Sequence, residues 1–284
     1  MDRPPFFSII IPALNEEEYL PHLLKDIAKQ TFSEFETFVV DGKSEDKTQA
    51  IAKSYEGIEV LESTKRNVAF QRNLGGKRAK GKYLIFLDAD TRVPHYFLDG
   101  LKYHLSVTDA DFFTTWISQE GVKPANRVVI TFMNFTLEAG KLFDTPWAMG
   151  AMMGSKRSTF NSLGGFDPDI SFGEDSEILK RAVEKGYTFK LFKDPKFSYS
   201  LRRFKKEGTL PLIRTYAQLD LGIFLNGQFP RNSQKTYPMV GGSYYEDKKR
   251  YPRLVQVFDK TLERFRKMEG GQRLQKFMES FFSE

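Results

Sequence analysis

The chain predicts an α/β protein, a mostly parallel sheet with helices on both faces, followed by a helical C-terminal extension. Three observations carry this. About the first ninety residues alternate short β-rich apolar runs with amphipathic segments, the pattern of a parallel sheet with crossover helices. One run, Tyr83-Leu84-Ile85-Phe86-Leu87, is apolar without interruption, as a strand buried on both faces must be. After about residue 206 strand signals fade, charges become denser, and two segments with apolar helical faces take over.

Phe6 to Ile11 is a β-rich apolar run stopped by Pro12, which predicts a buried strand. Asn15 followed by Glu16, Glu17 and Glu18 predicts a helix start, with acids near the positive end of the dipole. Pro21 fits only within that helix's first turn, and Leu20, Leu23, Leu24 and Ile27 form its buried stripe. A second strand, Glu36 to Val40, ends at Asp41-Gly42. Ser44 or Asp46 then caps a helix carrying Ala50, Ile51 and Tyr55. Ile58 to Leu61 is a short third strand, and Val68 to Ala79 a helix leading to the Tyr83 strand. Beyond it, Pro94 opens a helix with Phe97, Leu98 and Leu101 inward. Asp111 to Ile117 reads as a strand, Ala125 to Ala139 as a helix, and Gly150 to Gly154 as a strand of small residues and methionines. Glu174 to Lys185 is a helix closed by Gly186, with strands at Thr188 to Phe192 and Phe197 to Leu201. In the extension, Leu254, Val255, Phe258, Leu262 and Phe265 make one apolar face. Leu274, Phe277, Met278, Phe281 and Phe282 make another, each with Lys and Arg opposite.

A length of 284 residues suits one large domain, or one domain plus an appendage. The net charge of +6 favours anionic partners. With no Cys there is no disulfide framework, thiolate metal site or cysteine nucleophile. No apolar run approaches a membrane span and no signal-peptide pattern precedes the first strand, which predicts a cytoplasmic protein. His22, His95 and His104 fall in helices or at their starts, without a serine nucleophile or zincin spacing. The run from Gly76 to Lys82 begins like a P-loop, but Tyr83 stands where Ser or Thr belongs and the segment precedes a strand. No Gly-x-Gly-x-x-Gly follows the first strand, which argues against a dinucleotide-binding domain.

The Tyr83 strand ends in Asp88-Ala89-Asp90. Ligands of open α/β sheets collect beyond the carboxyl ends of the strands. Two acids there suit a hard divalent cation, Mg²⁺ or Mn²⁺, whose other ligands are commonly phosphate oxygens. The competing reading makes Asp88 a helix cap and Asp90 a solvated loop acid.

Four features occur in a telling order: Ile11-Pro12-Ala13-Leu14-Asn15-Glu16 at the first strand's end; Val39-Val40-Asp41-Gly42-Lys43-Ser44; Leu87-Asp88-Ala89-Asp90; and Gly164-Gly165-Phe166-Asp167 leading to Gly173-Glu174-Asp175. Together they resemble the family 2 glycosyltransferases, inverting enzymes of GT-A fold that use nucleotide-activated sugars. The resemblance covers roughly residues 6 to 205. It implies a catalytic domain over 1–205, with a nucleotide-sugar half over about 1–92 and an acceptor half over about 93–205, and leaves 206–284 as the extension. It implies that Pro12, Ala13 and Glu16 lie along the nucleoside and that Asp41 accepts from base or ribose. Lys43 departs from the family's usual Asp-Asp-Gly-Ser or Asp-Gly-Gly-Ser. Arg72 and Asn73 resemble the family's Ala-Arg-Asn-x-Gly stretch and are expected at the nucleotide or diphosphate. Asp88, Ala89 and Asp90 match its metal motif, and Asp175 its catalytic base, with Glu174 beside it. Arg202 or Arg203 is expected to reach the diphosphate. The implied donor is a nucleoside-diphosphate sugar, by default a UDP-sugar. The implied acceptor is a glycan, a lipid-linked group or a small molecule.

Two other readings stay open on the sequence. A nucleotidyltransferase also sets acids at strand ends, but its Gly-rich basic loop is not found at Pro12-Ala13-Leu14-Asn15-Glu16-Glu17. A basic nucleic-acid or membrane-binding module is permitted by the net charge, yet the acids in series would repel phosphates without a metal, so nucleic acid is not expected. The amphipathic C-terminal segments suit packing on the domain, a second subunit, or peripheral contact with an anionic membrane surface. Trp147 to Met153 is expected to line the acceptor side.

Overall fold

The strands assemble into one continuous seven-stranded sheet. The computed structural model describes residues 4–122, 124–140, 150–170 and 172–202, with 229 and 231. The strands are β1 (Phe7–Ala13), β2 (Phe35–Asp41), β3 (Ile58–Glu62), β4 (Tyr83–Leu87), β5 (Phe112–Ile117), β6 (Met152–Lys156) and β7 (Phe189–Phe197). The helices are α1 (Leu20–Ala28), α2 (Thr48–Lys53), α3 (Val68–Arg78), α4 (Phe97–Thr108), α5 (Pro124–Ala139), α6 (Arg157–Ser162) and α7 (Glu174–Glu184). Strand order is β3-β2-β1-β4-β6-β5-β7. Every pair is parallel except those of β6, which runs against β4 and β5.

That single reversal shapes the site. Because β6 is antiparallel, Met152 pairs with Leu87, and β6 begins at the edge where β1, β2 and β4 end. Ala13, Asp41, Asp88 and the Gly150-Ala151 turn therefore share one edge, and the Asp88 N–H donates to the Ala151 carbonyl at 3.0 Å.

Two cores flank the sheet. Tyr83, Ile85 and Leu87 point into the one shared with α1, α4 and α5, whereas Leu84 and Phe86 point into the one shared with α3, α6 and α7. The unbroken apolar run of β4 is thus explained by burial on both faces. Helix α3 lies close on the sheet because it carries small residues there: a Cβ at Gly75 would come within 2.5 Å of Ile10.

Several elements differ from expectation. The first helix begins at Leu20, not after Asn15, which adopts φ 53°. The intervening loop is zipped to the loop after β2: Asn15 N–H donates to Ser44 Oγ (2.9 Å), Glu16 N–H to Thr48 Oγ1 (2.7 Å), and Glu45 N–H to Asn15 Oδ1 (2.7 Å). Pro21 accordingly falls in the first turn. Asp46 accepts from the Thr48 N–H that opens α2, while Ser44 serves the zipper. Gly150 and Ala151 form a turn, and the strand starts at Met152. Met152 and Met153 point into the two cores, so they do not line an acceptor site. The two short strands expected after residue 188 are one strand, β7, whose pairing with β5 is irregular between Thr115 and Ile117. Helix α6 was not expected; its six residues are too short to show a period.

Among the described residues no helix is long and apolar enough to cross a membrane. Arg203, residues 141–149 and the amphipathic faces between 254 and 282 lie outside the described residues. Arg231 returns to the domain, bridging Ile170 and placing its guanidinium 2.9 Å from Asp167.

Candidate active site

The carboxyl edge gathers five carboxylates around two guanidiniums. Arg72 is the inner one. It sits on α3, its side chain 3% exposed, with its guanidinium 5.5 Å from the Phe166 ring centre. Its Nη1 donates to Glu174 at 2.8 Å, and its Nη2 to Asp88 at 2.9 Å and to the Gly150 carbonyl at 2.7 Å. One side chain thereby ties the end of β4, the turn before β6 and the start of α7. Sequence reasoning expects Arg72 at the nucleotide; both terminal nitrogens are engaged by the protein instead.

Arg202 is the outer one. Its terminal nitrogens grip both oxygens of Glu16, at 2.8 and 2.5 Å, its Nε lies 2.9 Å from Asp90, and its guanidinium lies over the Tyr19 ring at 4.5 Å. Glu16, expected along the nucleoside, is thus paired with the residue expected at the diphosphate. Burial pushes the Glu16 carboxyl up to about 7 against the pull of Arg202. Burial also raises Asp90, which Arg202 and the Ser200 hydroxyl oppose. Asp88 is the most open acid of the group, its side chain 34% exposed.

Glu174 and Asp175 open α7 behind a left-handed Gly173 and are both buried. Burial, then the neighbouring Glu174, pushes Asp175 up to about 7, with Arg72 pulling the other way. Gly150 is the space between Asp175 and Arg72: a Cβ there would stand 3.2 Å from Asp175 Oδ2 and 3.0 Å from Arg72 Nη2.

Asn73, also expected at the nucleotide, turns to the loop before α7. Its Nδ2 donates to the Phe166 carbonyl (2.8 Å), and its Oδ1 accepts the Phe166 N–H (2.9 Å). Pro12 and Ala13 are buried at the end of β1, opposite Val40 and Asp41. Ala89 buries its methyl in the core. Asp41 is buried and accepts from the Ser44 N–H across the turn. Lys43 stands there at φ 66°, the left-handed region that a glycine occupies without strain. A cleft of about 470 Å³ lies beside this turn, lined by Asp41, Lys43, Ser44, Gln49, Glu62, Ser63 and Thr64.

Sequence reasoning gave no role to Gln71 or Tyr19, and placed Gly150 only within the acceptor-side stretch. Gln71, buried, donates from Nε2 to the carbonyls of Ala13 and Val40 and so fixes β1 to β2 at the edge. Tyr19 supports Arg202, and Gly150 accepts from Arg72. Only Gln71 left a signal, a polar residue beside Arg72 in a helix otherwise buried by small residues.

The family model described as glycosyl transferase family 2 matches residues 8–164, more than half of the chain. The chain belongs to glycosyl transferase family 2. Its relatives in the family include the poly(ribitol-phosphate) β-N-acetylglucosaminyltransferase TarS of Staphylococcus aureus, 37% identical over 91 residues. That match covers 30% of this chain and 16% of TarS. The glycosyltransferase AglE of Haloferax volcanii is 28% identical over 194 residues, 65% of this chain and 63% of AglE. The matches span less than two thirds of the length of these curated relatives, from 16% to 63%. Among solved structures, the mannosyltransferase PcManGT of Pyrobaculum calidifontis, in complex with GDP-Man and Mn²⁺, superposes with a TM-score of 0.64 at 17% identity. It covers 99% of this chain and 86% of its own. TarS 1–349 of S. aureus in complex with UDP gives 0.52 at 18% identity, covering 84% and 70%. This member of the family therefore has the GT-A fold, a Rossmann-like mixed sheet with flanking helices.

Proposed function

We propose that the chain is an inverting, divalent-metal-dependent glycosyltransferase that moves a sugar from a nucleoside diphosphate to an acceptor hydroxyl. The observation that carries this reading is the single edge on which Arg72 holds Asp88 and Glu174, with Asp90 and Asp175 beside them. Mn²⁺ accompanies the nucleotide in two solved relatives of the fold, PcManGT and a glucosyl-3-phosphoglycerate synthase of Mycobacterium tuberculosis.

The donor set fits a hard cation. Glu16, Asp88, Asp90, Glu174 and Asp175 outnumber Arg72 and Arg202, so the ionised site carries excess negative charge. No cluster of three His, Cys, Asp or Glu suited to a metal occurs among the described residues. Asp88 and Asp90 would therefore hold the ion by two carboxylates, with diphosphate oxygens completing its shell. Bound there, the cation supplies charge neutralisation for the departing diphosphate in place of a proton donor.

The chain's own residues do the rest. The cleft at Asp41 takes the base and ribose, with Asp41 accepting from their N–H or O–H groups. UDP is the default nucleoside diphosphate of the donor, and GDP and TDP are the alternatives. Arg202 exchanges Glu16 and Asp90 for the diphosphate. Asp175, with its carboxyl raised to about 7, removes the proton of the acceptor hydroxyl as that oxygen bonds to the sugar C1. The C1–O bond to the diphosphate breaks on the opposite face, which inverts C1. Arg72, Glu174 and Asn73 position these groups. The catalytic domain spans 1–205, and the basic amphipathic sequence between 254 and 282 supports an acceptor at the cytoplasmic face of a membrane.

Thermal stabilisation by UDP, GDP, TDP and ATP, each with and without Mn²⁺, tests this reading. One nucleoside diphosphate is expected to raise the Tm only with Mn²⁺, and Asp88→Asn/Asp90→Asn to abolish that rise. A protein indifferent to all four nucleotides would sink it.

A further inference from the structure

The edge strand β7 carries a feature that the transfer chemistry does not use. Thr115 pairs with Phe192 and Ile117 with Phe197, so Lys193, Asp194, Pro195 and Lys196 all stand opposite Trp116 alone. This bulge sorts its residues. Pro195 packs toward α4, 2.9 Å from where a Cβ of Gly100 would lie. The Asp194 charge is felt by the Tyr96 hydroxyl at the head of α4. Trp116 points to the other face of the sheet, since it alternates with Phe113 and Ile117, which pack with α4. The ammonium groups of Lys193 and Lys196 go with it, 5.1 and 5.7 Å from its ring centre.

A ring's quadrupole attracts each cation but neutralises neither. Among the described residues neither lysine forms an ion pair. Two like charges are thus gathered at one ring, and among the described residues neither has a carboxylate within ion-pairing distance. Glu138 fixes the ring by accepting from Trp116 Nε1 at 2.8 Å. An anion with several oxygens can bridge both ammoniums, and phosphate is the group that lysines serve as point charges. The position suits an acceptor. Arg92 and Ser198 exchange backbone hydrogen bonds of 3.1 and 2.8 Å. Two residues of chain on either side of that bridge separate Asp90 from Lys196, a path of at most roughly 19 Å.

We propose that Trp116, Lys193 and Lys196 form a subsite for the phosphate of a phosphate-bearing acceptor, separate from the donor diphosphate. Its place in the reaction rests on the transferase reading above; its ligand chemistry does not. The Glu138 carboxylate is a like charge that the anion must tolerate, so Glu138→Gln tightens binding.

The chain has two tryptophans, Trp116 and Trp147. The full chain carrying Trp147→Phe therefore reports on Trp116 alone. It is titrated with sn-glycerol 3-phosphate against glycerol, and with phosphatidylglycerol vesicles against phosphatidylcholine vesicles. A saturable change in emission from a phosphate probe is expected, weakened at least tenfold by Lys193→Ala/Lys196→Ala. A response to the soluble ester assigns a free phosphorylated acceptor, and one confined to vesicles assigns a lipid headgroup. No response to either probe, or the same response in the lysine variant, overturns the subsite. The Tm rise with UDP, GDP or TDP and Mn²⁺, measured on the same proteins, separates the two proposals and shows that the variants fold. If it persists while emission is silent, only the subsite fails; if no nucleotide produces it, the transferase reading has failed.

Discussion

Arg202 and Glu16, 186 residues apart in the chain, form a two-pronged ion pair at 2.8 and 2.5 Å. With its Nε 2.9 Å from Asp90, Arg202 places a positive charge beside one of the two carboxylates assigned to the metal. A cation and Arg202 therefore compete for Asp90. Removing the arginine as Arg202→Met is expected to tighten Mn²⁺ binding to the nucleotide-free protein about tenfold, roughly 1.4 kcal/mol. The same change weakens the nucleoside diphosphate, which loses its guanidinium. Calorimetric titration of both ligands checks this; equal Mn²⁺ affinity in the two proteins would show that Arg202 does not compete.

As the proposed base, Asp175 is expected to set the pH dependence of transfer. Burial and Glu174 raise its carboxyl to about 7, so only the fraction ionised near neutrality can accept a proton. The acid limb of kcat/KM is expected to bend near pH 7 and to fall about tenfold per pH unit below it. Asp175→Asn should cost about 10²–10⁴ in kcat and remove that limb, while donor affinity stays within a few-fold. An unchanged limb in the variant would assign the base elsewhere.

Stability should follow the same carboxyls with the opposite benefit. Asp175 and Glu16 rise from ordinary values of 3.8 and 4.5 to about 7 on folding. Between those values the folded chain holds protons that the unfolded chain has released. Their contribution is therefore full below about pH 4, declines as pH rises, and is gone above about 7. These rises correspond at most to about 4 kcal/mol for Asp175 and about 3 kcal/mol for Glu16. The urea midpoint of metal-free protein is expected to fall from pH 5 to pH 8, and Asp175→Asn to flatten the slope.

The legible parts of this chain were those with a period or a terminus. The unbroken run Tyr83–Leu87 announced a strand buried twice, and Asp88 and Asp90 stand at the carboxyl edge where its end implied. What stayed hidden was pairing across the fold. Nothing local says that Arg72 reaches Glu174, 102 residues away, or that Arg202 returns to Glu16. The two methionines of β6 read as a flexible lining because small residues precede them, yet antiparallel pairing with β4 buries both. Three glutamates after Asn15 imitated a helix start, while a left-handed Asn15 and the zipper to Ser44 and Thr48 kept that stretch a loop.

Asn73 separates touching a ligand from positioning a catalytic group. Its amide makes two hydrogen bonds to the Phe166 backbone, and Gly165 beside it, at φ 79°, has no room for a side chain, since a Cβ would come 2.4 Å from Asn73 Oδ1. This bracket anchors the loop that leads into α7 and Asp175. Asn73→Ala leaves a backbone N–H and carbonyl without their partner, at about 1 kcal/mol each and about 2 kcal/mol in all. Loosening the approach to α7 displaces the base, so kcat should drop at least tenfold while the Kd for the nucleoside diphosphate with Mn²⁺ changes less than threefold. A direct contact with the nucleotide would produce the reverse, a weakened Kd with kcat retained. Isothermal titration beside steady-state kinetics on the one variant distinguishes the two.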